Sequence, residues 1–107
     1  MNGKVKAIIN LLFRIEAEMR ALHLWSDRRP SARALNSDQP FAVDTLGFEQ
    51  WLQFIFLERM HAMVEGHQLP SSCDIAPMAE EALPQRLKKR EVLIELLREF
   101  DVLINQD

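Results

Sequence analysis

The stretch 48–63 carries too much apolar surface for a helix on the outside of a protein. Phe48, Trp51, Leu52, Phe54, Ile55, Phe56, Leu57, Met60 and Met63 all fall within it. At 3.6 residues per turn they cover far more than one stripe. The polar positions are Glu49, Gln50, Gln53, Glu58, Arg59 and His61. On a uniform α-helical wheel Gln50, Gln53 and His61 share one side and the others fall elsewhere, so no broad solvent face exists. A helix apolar over most of its circumference sits at the centre of a bundle, and any surplus is left as a partner surface. The spacing predicts a helix over 45–65. Asp44 or Thr45 would be its N-cap, because a short side-chain oxygen accepts an orphan first-turn N–H, and Gly66 would be its C-terminal cap.

Two amphipathic stretches flank this centre. Val5, Ile8, Leu12, Ile15, Met19 and Leu22 recur in steps of three and four, which predicts a helix over 2–24 with Pro30 as the downstream stop. Leu93, Ile94, Leu96, Leu97, Phe100, Leu103 and Ile104 predict a third helix over 84–105, with Pro84 in its first turn. Between them run linkers at 26–43 and 67–77, rich in Pro, Ser, Asp and Asn. A helical turn is expected at 31–35 and a short helix at 78–83. No stretch alternates with period two, so no sheet is expected. The reading is an all-α fold: a small helical bundle of three long helices plus a short fourth element. With 107 residues, positions 1–107 make one domain.

Charge and cysteine usage narrow the partners. The net charge of -3 disfavours generic binding to nucleic acid. The apolar run 7–13 follows Lys4 and Lys6, but Asn10 interrupts it and Arg14, Glu16 and Glu18 follow where a leader would place small residues. The run is also far shorter than the roughly 20 residues of a membrane span. Cys73 is the lone cysteine, which suits a reducing cytoplasm. The expectation is a cytoplasmic protein with no membrane contact.

Catalytic and metal-binding patterns are sparse. Glu58 and His61 stand at i, i+3, half of what a di-iron bundle needs from two helices. Cys73 lies six residues after His67, without the pattern of a cysteine nucleophile and its base. Gly3, Gly47 and Gly66 are too scattered to form a phosphate loop. Basic clusters at Arg28, Arg29 and Arg33, and at Lys88, Lys89 and Arg90, are flanked by acids and read as solvated charge. The aromatics Trp25, Phe41, Trp51, Phe54 and Phe56 read mainly as core packing. Any left exposed would anchor a partner. Trp51, Trp25 and Phe41, with Gln50 and Gln53 as a polar rim, form the candidate partner surface.

The linkers and the middle helix together carry a pattern: Pro40-Phe41, Asp44-Thr45-Leu46-Gly47-Phe48, Gln50-Trp51-Leu52-Gln53-Phe54-Ile55-Phe56, Arg59-Met60, Leu69-Pro70, Cys73, Ile75 and Pro77-Met78-Ala79-Glu80. This resembles the YqcC-like family of small bacterial helical proteins, over nearly the whole chain. The resemblance implies an all-helical bundle without an established activity. Genes of that family commonly neighbour one for a tRNA pseudouridine synthase, and members sometimes carry that enzyme's name. Pseudouridine synthases resemble one another in an Arg-Leu-Asp-type catalytic context on a larger α/β domain. Arg20-Ala-Leu-His and Glu99-Phe-Asp101 do not match it.

The expected function is therefore a non-catalytic binding or adaptor module without a cofactor or metal, acting through a protein partner or as a homodimer. One alternative is an RNA-associated accessory factor acting with a tRNA-modifying pseudouridine synthase; among partners, RNA ranks below a protein. Another is a small metal-dependent enzyme using Glu58 and His61.

Overall fold

The computed structural model describes residues 3–85, 87 and 89–106. Its helices are α1 (Gly3–Ala21), α2 (Ala32–Leu35), α3 (Phe48–Trp51), α4 (Glu58–Glu65), α5 (Ala76–Ala82) and α6 (Arg90–Asn105). A π-helical turn, Leu52–Leu57, joins α3 to α4, so the backbone is helical without a break over 48–65. No strand occurs among the described residues. The protein is a small all-α fold.

The middle helix is central, as its composition requires. Leu52, Phe54, Phe56 and Leu57 of the π turn are all buried. Phe56 meets Phe100 of α6 edge-to-face at 5.1 Å. From α1, Ile8, Leu12, Ile15 and Met19 are buried, as are Leu93, Ile94 and Leu97 from α6. α6 packs against both α1 and α5, and α1 also meets α4. Lys4, in the first turn of α1, donates to the carbonyl of Gln106 at 2.7 Å. The start of α1 thus lies at the end of α6, so the two helices run antiparallel. The lysine also supplies a cation where the terminal carbonyls of α6 point.

Several helix boundaries differ from the expectation. The middle helix starts at Phe48, with Gly47 as N-cap. Neither Asp44 nor Thr45 caps it: Asp44 accepts from the Ser37 hydroxyl at 2.6 Å, and Thr45 donates to the Ala34 carbonyl at 2.7 Å. Both side chains tie down the preceding linker instead. The third helix starts at Arg90 rather than Pro84. Leu83 leaves α5 in an extended conformation, and the chain turns through hydrogen bonds from Leu87 to Pro84 and from Arg90 to Leu87. The Arg90 guanidinium donates to the carbonyls of Glu80 and Leu83, both at 3.0 Å, and so closes the end of α5. Of the second basic cluster, Arg90 is therefore structural, and Lys88 lies outside the described residues. The short fourth element starts two residues earlier and ends one earlier than expected, at Ala76–Ala82.

A further difference is in the left-handed residue that closes α1 and α4, and α1 ends at Ala21 rather than at Leu24. Leu24 donates to Met19 and His23 to Arg20; likewise Gln68 donates to Met63 and His67 to Val64. These are paired 6→1 and 5→2 bonds, the Schellman motif. In each the left-handed residue is a histidine, His23 at φ 61° and His67 at φ 58°. Gly66 is the C-cap of α4, as expected, but at φ -84° it does not use its freedom. A left-handed L residue costs roughly 1–2 kcal/mol. His67→Gly is therefore expected to raise stability by up to about 1 kcal/mol after the entropy of glycine is deducted. A higher urea midpoint with unchanged slope is the readout.

Candidate functional site

The linker 26–43 is stitched to the middle helix from several sides. The Gln53 side-chain oxygen accepts from the Ser26 N–H at 2.9 Å, and its amide nitrogen donates to the Ser26 carbonyl at 2.9 Å. Ser31 caps α2 through the Ala34 N–H at 3.1 Å. The Ser37 hydroxyl takes the Gln39 N–H at 3.0 Å. The chain then turns at Pro40–Ala42, where Phe41 and Ala42 both adopt left-handed conformations at φ 56° and 50°. Two successive non-glycine residues in that region are strained, and such strain gathers at functional sites.

This turn forms one wall of an open cleft of about 790 Å³. Phe41, Leu35 and Ala42 come from the linker, and Trp51, Phe54 and Ile55 from the middle helix. Phe41 meets the edge of Trp51 at 4.7 Å, and Trp51 stacks between Phe48 at 5.9 Å and Phe56 at 5.7 Å. The half-buried indole thus joins the cleft to the core. Charged groups ring the apolar floor: Arg29, Asp38, Glu58 and Arg59. Arg29 donates to Glu58 at 2.6 Å and lies 5.8 Å from the Phe54 ring centre, within cation–π range. The hydrogen bond to Glu58, and then its charge, raise the Arg29 pKa above its already high value. Arg59 is exposed and forms no ion pair among the described residues.

Of the five residues expected to form a partner surface, the cleft brings together Phe41 and Trp51. Gln50 stands outside it, with its side-chain oxygen accepting from the Gly47 N–H at 2.8 Å. Gln53 is not part of a polar rim: it is only 6% exposed, with both amide atoms bonded to Ser26. Trp25 is half-buried against the core beneath the Arg20 guanidinium, 4.6 Å from its ring centre. The wheel that put Gln50, Gln53 and His61 on one side fails in two places: the linker folds over Gln53, and the π turn, which winds more slowly than an α-helix, rotates side chains beyond it such as His61. The patch expected near Trp51 is a cleft, and the most exposed large apolar side chains are Phe13, Val43, Val92 and Val102. Sequence reasoning passed over Arg29, Glu58 and Arg59 as cleft residues. The 29-residue separation of Arg29 and Glu58 leaves no local signal.

The other chemistry-bearing residues are engaged elsewhere. Glu58 is held by Arg29, and the His61 ring lies 6.0 Å from that of Phe13. Among the described residues no group of three His, Cys, Asp or Glu side chains is placed to hold a metal. Burial, first, and then the hydrogen bond and charge of Asp101 push the Cys73 thiol well above its usual pKa, which disfavours the thiolate. The Cys73 N–H and carbonyl are both held by the Asn105 amide. No helix among the described residues is long and apolar enough to cross a membrane.

A family model described as tRNA pseudouridine synthase C matches residues 7–103. The solution NMR structure of YqcC from Escherichia coli superposes with a TM-score of 0.86 at 30% identity, covering 99% of this chain and 92% of that one. The chain belongs to the YqcC-like family. By sequence, Escherichia coli YqcC is 33% identical over 94 residues, which are 87% of this chain and 86% of that protein. An uncharacterised Haemophilus influenzae protein is 37% identical over 87 residues, 80% of this chain and 82% of its own length. A Pectobacterium carotovorum protein named tRNA pseudouridine synthase C is 44% identical over 62 residues, which are 57% of this chain and only 16% of that one. The YqcC-like match is thus a small part of a much longer chain.

Proposed function

We propose that this YqcC-like chain is a non-catalytic protein-binding module of the cytoplasm and that its docking face is the Trp51 cleft. The observation that carries the reading is the half-buried Trp51 on an aromatic floor, beside the strained Phe41 and ringed by Arg29, Glu58 and the exposed Arg59. Tryptophan and arginine dominate binding hot spots, and this cleft sets both beside one another on a mixed apolar and charged surface. The lone, partly buried Cys73 is consistent with a reducing compartment.

A second reading names the partner. In the Pectobacterium carotovorum protein the YqcC-like match covers 16% of a chain named for a tRNA pseudouridine synthase. Joining such a segment to the enzyme in one chain favours a free-standing member that acts beside a separate synthase. The acidic net charge favours contact with the enzyme over contact with tRNA.

The test is calorimetric titration of the chain with the tRNA pseudouridine synthase C of the same cell, with and without tRNA. Arg59→Glu is expected to weaken binding about tenfold, and Trp51→Ala by more. Arg59 is exposed, so its substitution leaves folding intact. Equal affinity for wild type and Arg59→Glu overturns the cleft as the docking face. Absence of binding to the synthase removes the second reading. Tight tRNA binding by the chain alone, falling steeply with salt, replaces both with an RNA-binding role.

A further inference from the structure

A second surface, sharing no residue with the Trp51 cleft, lies along α1 and α6. A groove of about 630 Å³ runs between the two helices, with Lys6 on the α1 side and Val102 and Glu99 on the α6 side. A shallower hollow continues it past Arg14, Val92, Glu95 and Glu99. The apolar content is real: Val92 is 52% and Val102 54% exposed on the outer face of α6. The charges left without an ion pair among the described residues are sorted by helix. The α1 edge carries Lys6 and Arg14; the α6 edge carries Glu91, Glu95 and Glu99 together with Arg98, whose charge is taken up by Glu80 and Glu95. Glu95 is bound by Arg98, but Lys6, Arg14 and Glu99 form no ion pair among the described residues.

We propose that this face docks a second copy of the chain, α1 of each copy lying on α6 of the other. The charge sorting selects this arrangement. A two-fold axis lying in the interface and parallel to the helices places each α1 over the other copy's α6 and preserves height along the axis. Arg14 shares a hollow with Glu95 and Glu99 within one copy. It therefore lies opposite the Glu95 and Glu99 of the other copy, twice over by symmetry. An axis across the helices would put α1 on α1 and α6 on α6, like charge on like. Lys6, near Val102 and Leu103, closes one end, and Val92 and Val102, toward the two ends of α6, each lie against α1 of the other copy. A 16-residue α6 beside α1 offers a face about 24 Å by about 20 Å. Counted over both copies that is roughly 1,000 Å², the lower limit for a specific dimer. The association is therefore weak, concentration-dependent and sensitive to salt.

Sedimentation equilibrium at low ionic strength tests this. Wild type is expected to dimerise reversibly and to dissociate in about 0.5 M salt. Arg14→Glu and Glu99→Arg are each expected to weaken the dimer at least tenfold. Both positions are exposed, so melting curves should match wild type. The double variant Arg14→Glu/Glu99→Arg is expected to recover self-association, because the swapped charges again face each other across the axis. A wild-type monomer at about 1 mM overturns the proposal. So does a double variant as weak as the singles. Loss of synthase binding in Arg14→Glu with wild type monomeric overturns it too, and gives the face to a different protein.

Discussion

Asp101→Ala is expected to lower stability by about 3 kcal/mol, the largest loss from any single polar substitution in this chain. Asp101 is only 7% exposed and lies on the buried side of α6. Its carboxylate accepts from the Ile75 N–H at 3.0 and 2.8 Å and from the Ala76 N–H at 2.8 Å. These N–H groups open α5, whose first turn has no side-chain cap of its own. A negative charge there also meets the positive end of the peptide dipoles. Truncation leaves two buried donors without acceptors, and each costs about 1–3 kcal/mol. Asp101→Asn keeps one acceptor oxygen and is expected to lose about half as much. The measurement is the urea midpoint at constant slope. The asparagine variant carries a second readout. Asp101 helps to hold the Cys73 thiol above its usual pKa, so removing its charge lowers that pKa, and Cys73 is expected to react faster with a thiol reagent under conditions where the protein stays folded. An unchanged rate and an unchanged midpoint would together refute the role assigned to Asp101.

Asp101 also shows where reading the sequence stops. The apolar rows of α1 and α6 are legible because a helix repeats and its buried face must be apolar. Ile8, Leu12, Ile15 and Met19 of the expected stripe are all buried, and so are Leu93, Ile94, Leu97 and Phe100. The same logic places an acid such as Asp101 in solvent. Its partners lie 25 and 26 residues away, and no local pattern announces them. Helix ends fail for a related reason. Asp44 and Thr45 have the chemistry of caps, yet their oxygens are taken by Ser37 and Ala34 of a linker whose path is a tertiary property. The candidate site divides in the same way. Trp51 and Phe41 stand out by residue type, and the cleft contains both. Gln53 stands out equally and is buried, because the linker folds over it and Ser26 takes both of its amide atoms. Arg29 and Glu58 become cleft residues only once the linker folds back across the middle helix.

Gln53→Leu tests that fold-back directly and is expected to cost about 2–3 kcal/mol. The leucine fills similar space and suits the apolar surroundings of the π turn, so packing alone predicts a small change. The hydrogen bonds predict a large one. Gln53 satisfies both backbone groups of Ser26 at once, and only one orientation of its amide does so, with the oxygen on the N–H and the nitrogen on the carbonyl. Leucine leaves both groups without their partner at a part-buried position. The effect should extend beyond stability. Ser26 starts the linker that carries Arg29 and Phe41 to the cleft, and the left-handed turn at Phe41 persists only while the linker is held at its ends. Freed at Ser26, the linker is expected to become the first site of limited proteolysis, and Trp51 emission is expected to shift to the red as Phe41 withdraws. Gln53→Glu separates the two bonds. It retains the acceptor for the Ser26 N–H but sets a carboxylate against the Ser26 carbonyl, so its loss should be at least as large as that of leucine. A glutamate variant as stable as wild type would show that the Ser26 carbonyl does not need its donor, and the linker would then be held by Thr45 and Ser37 instead.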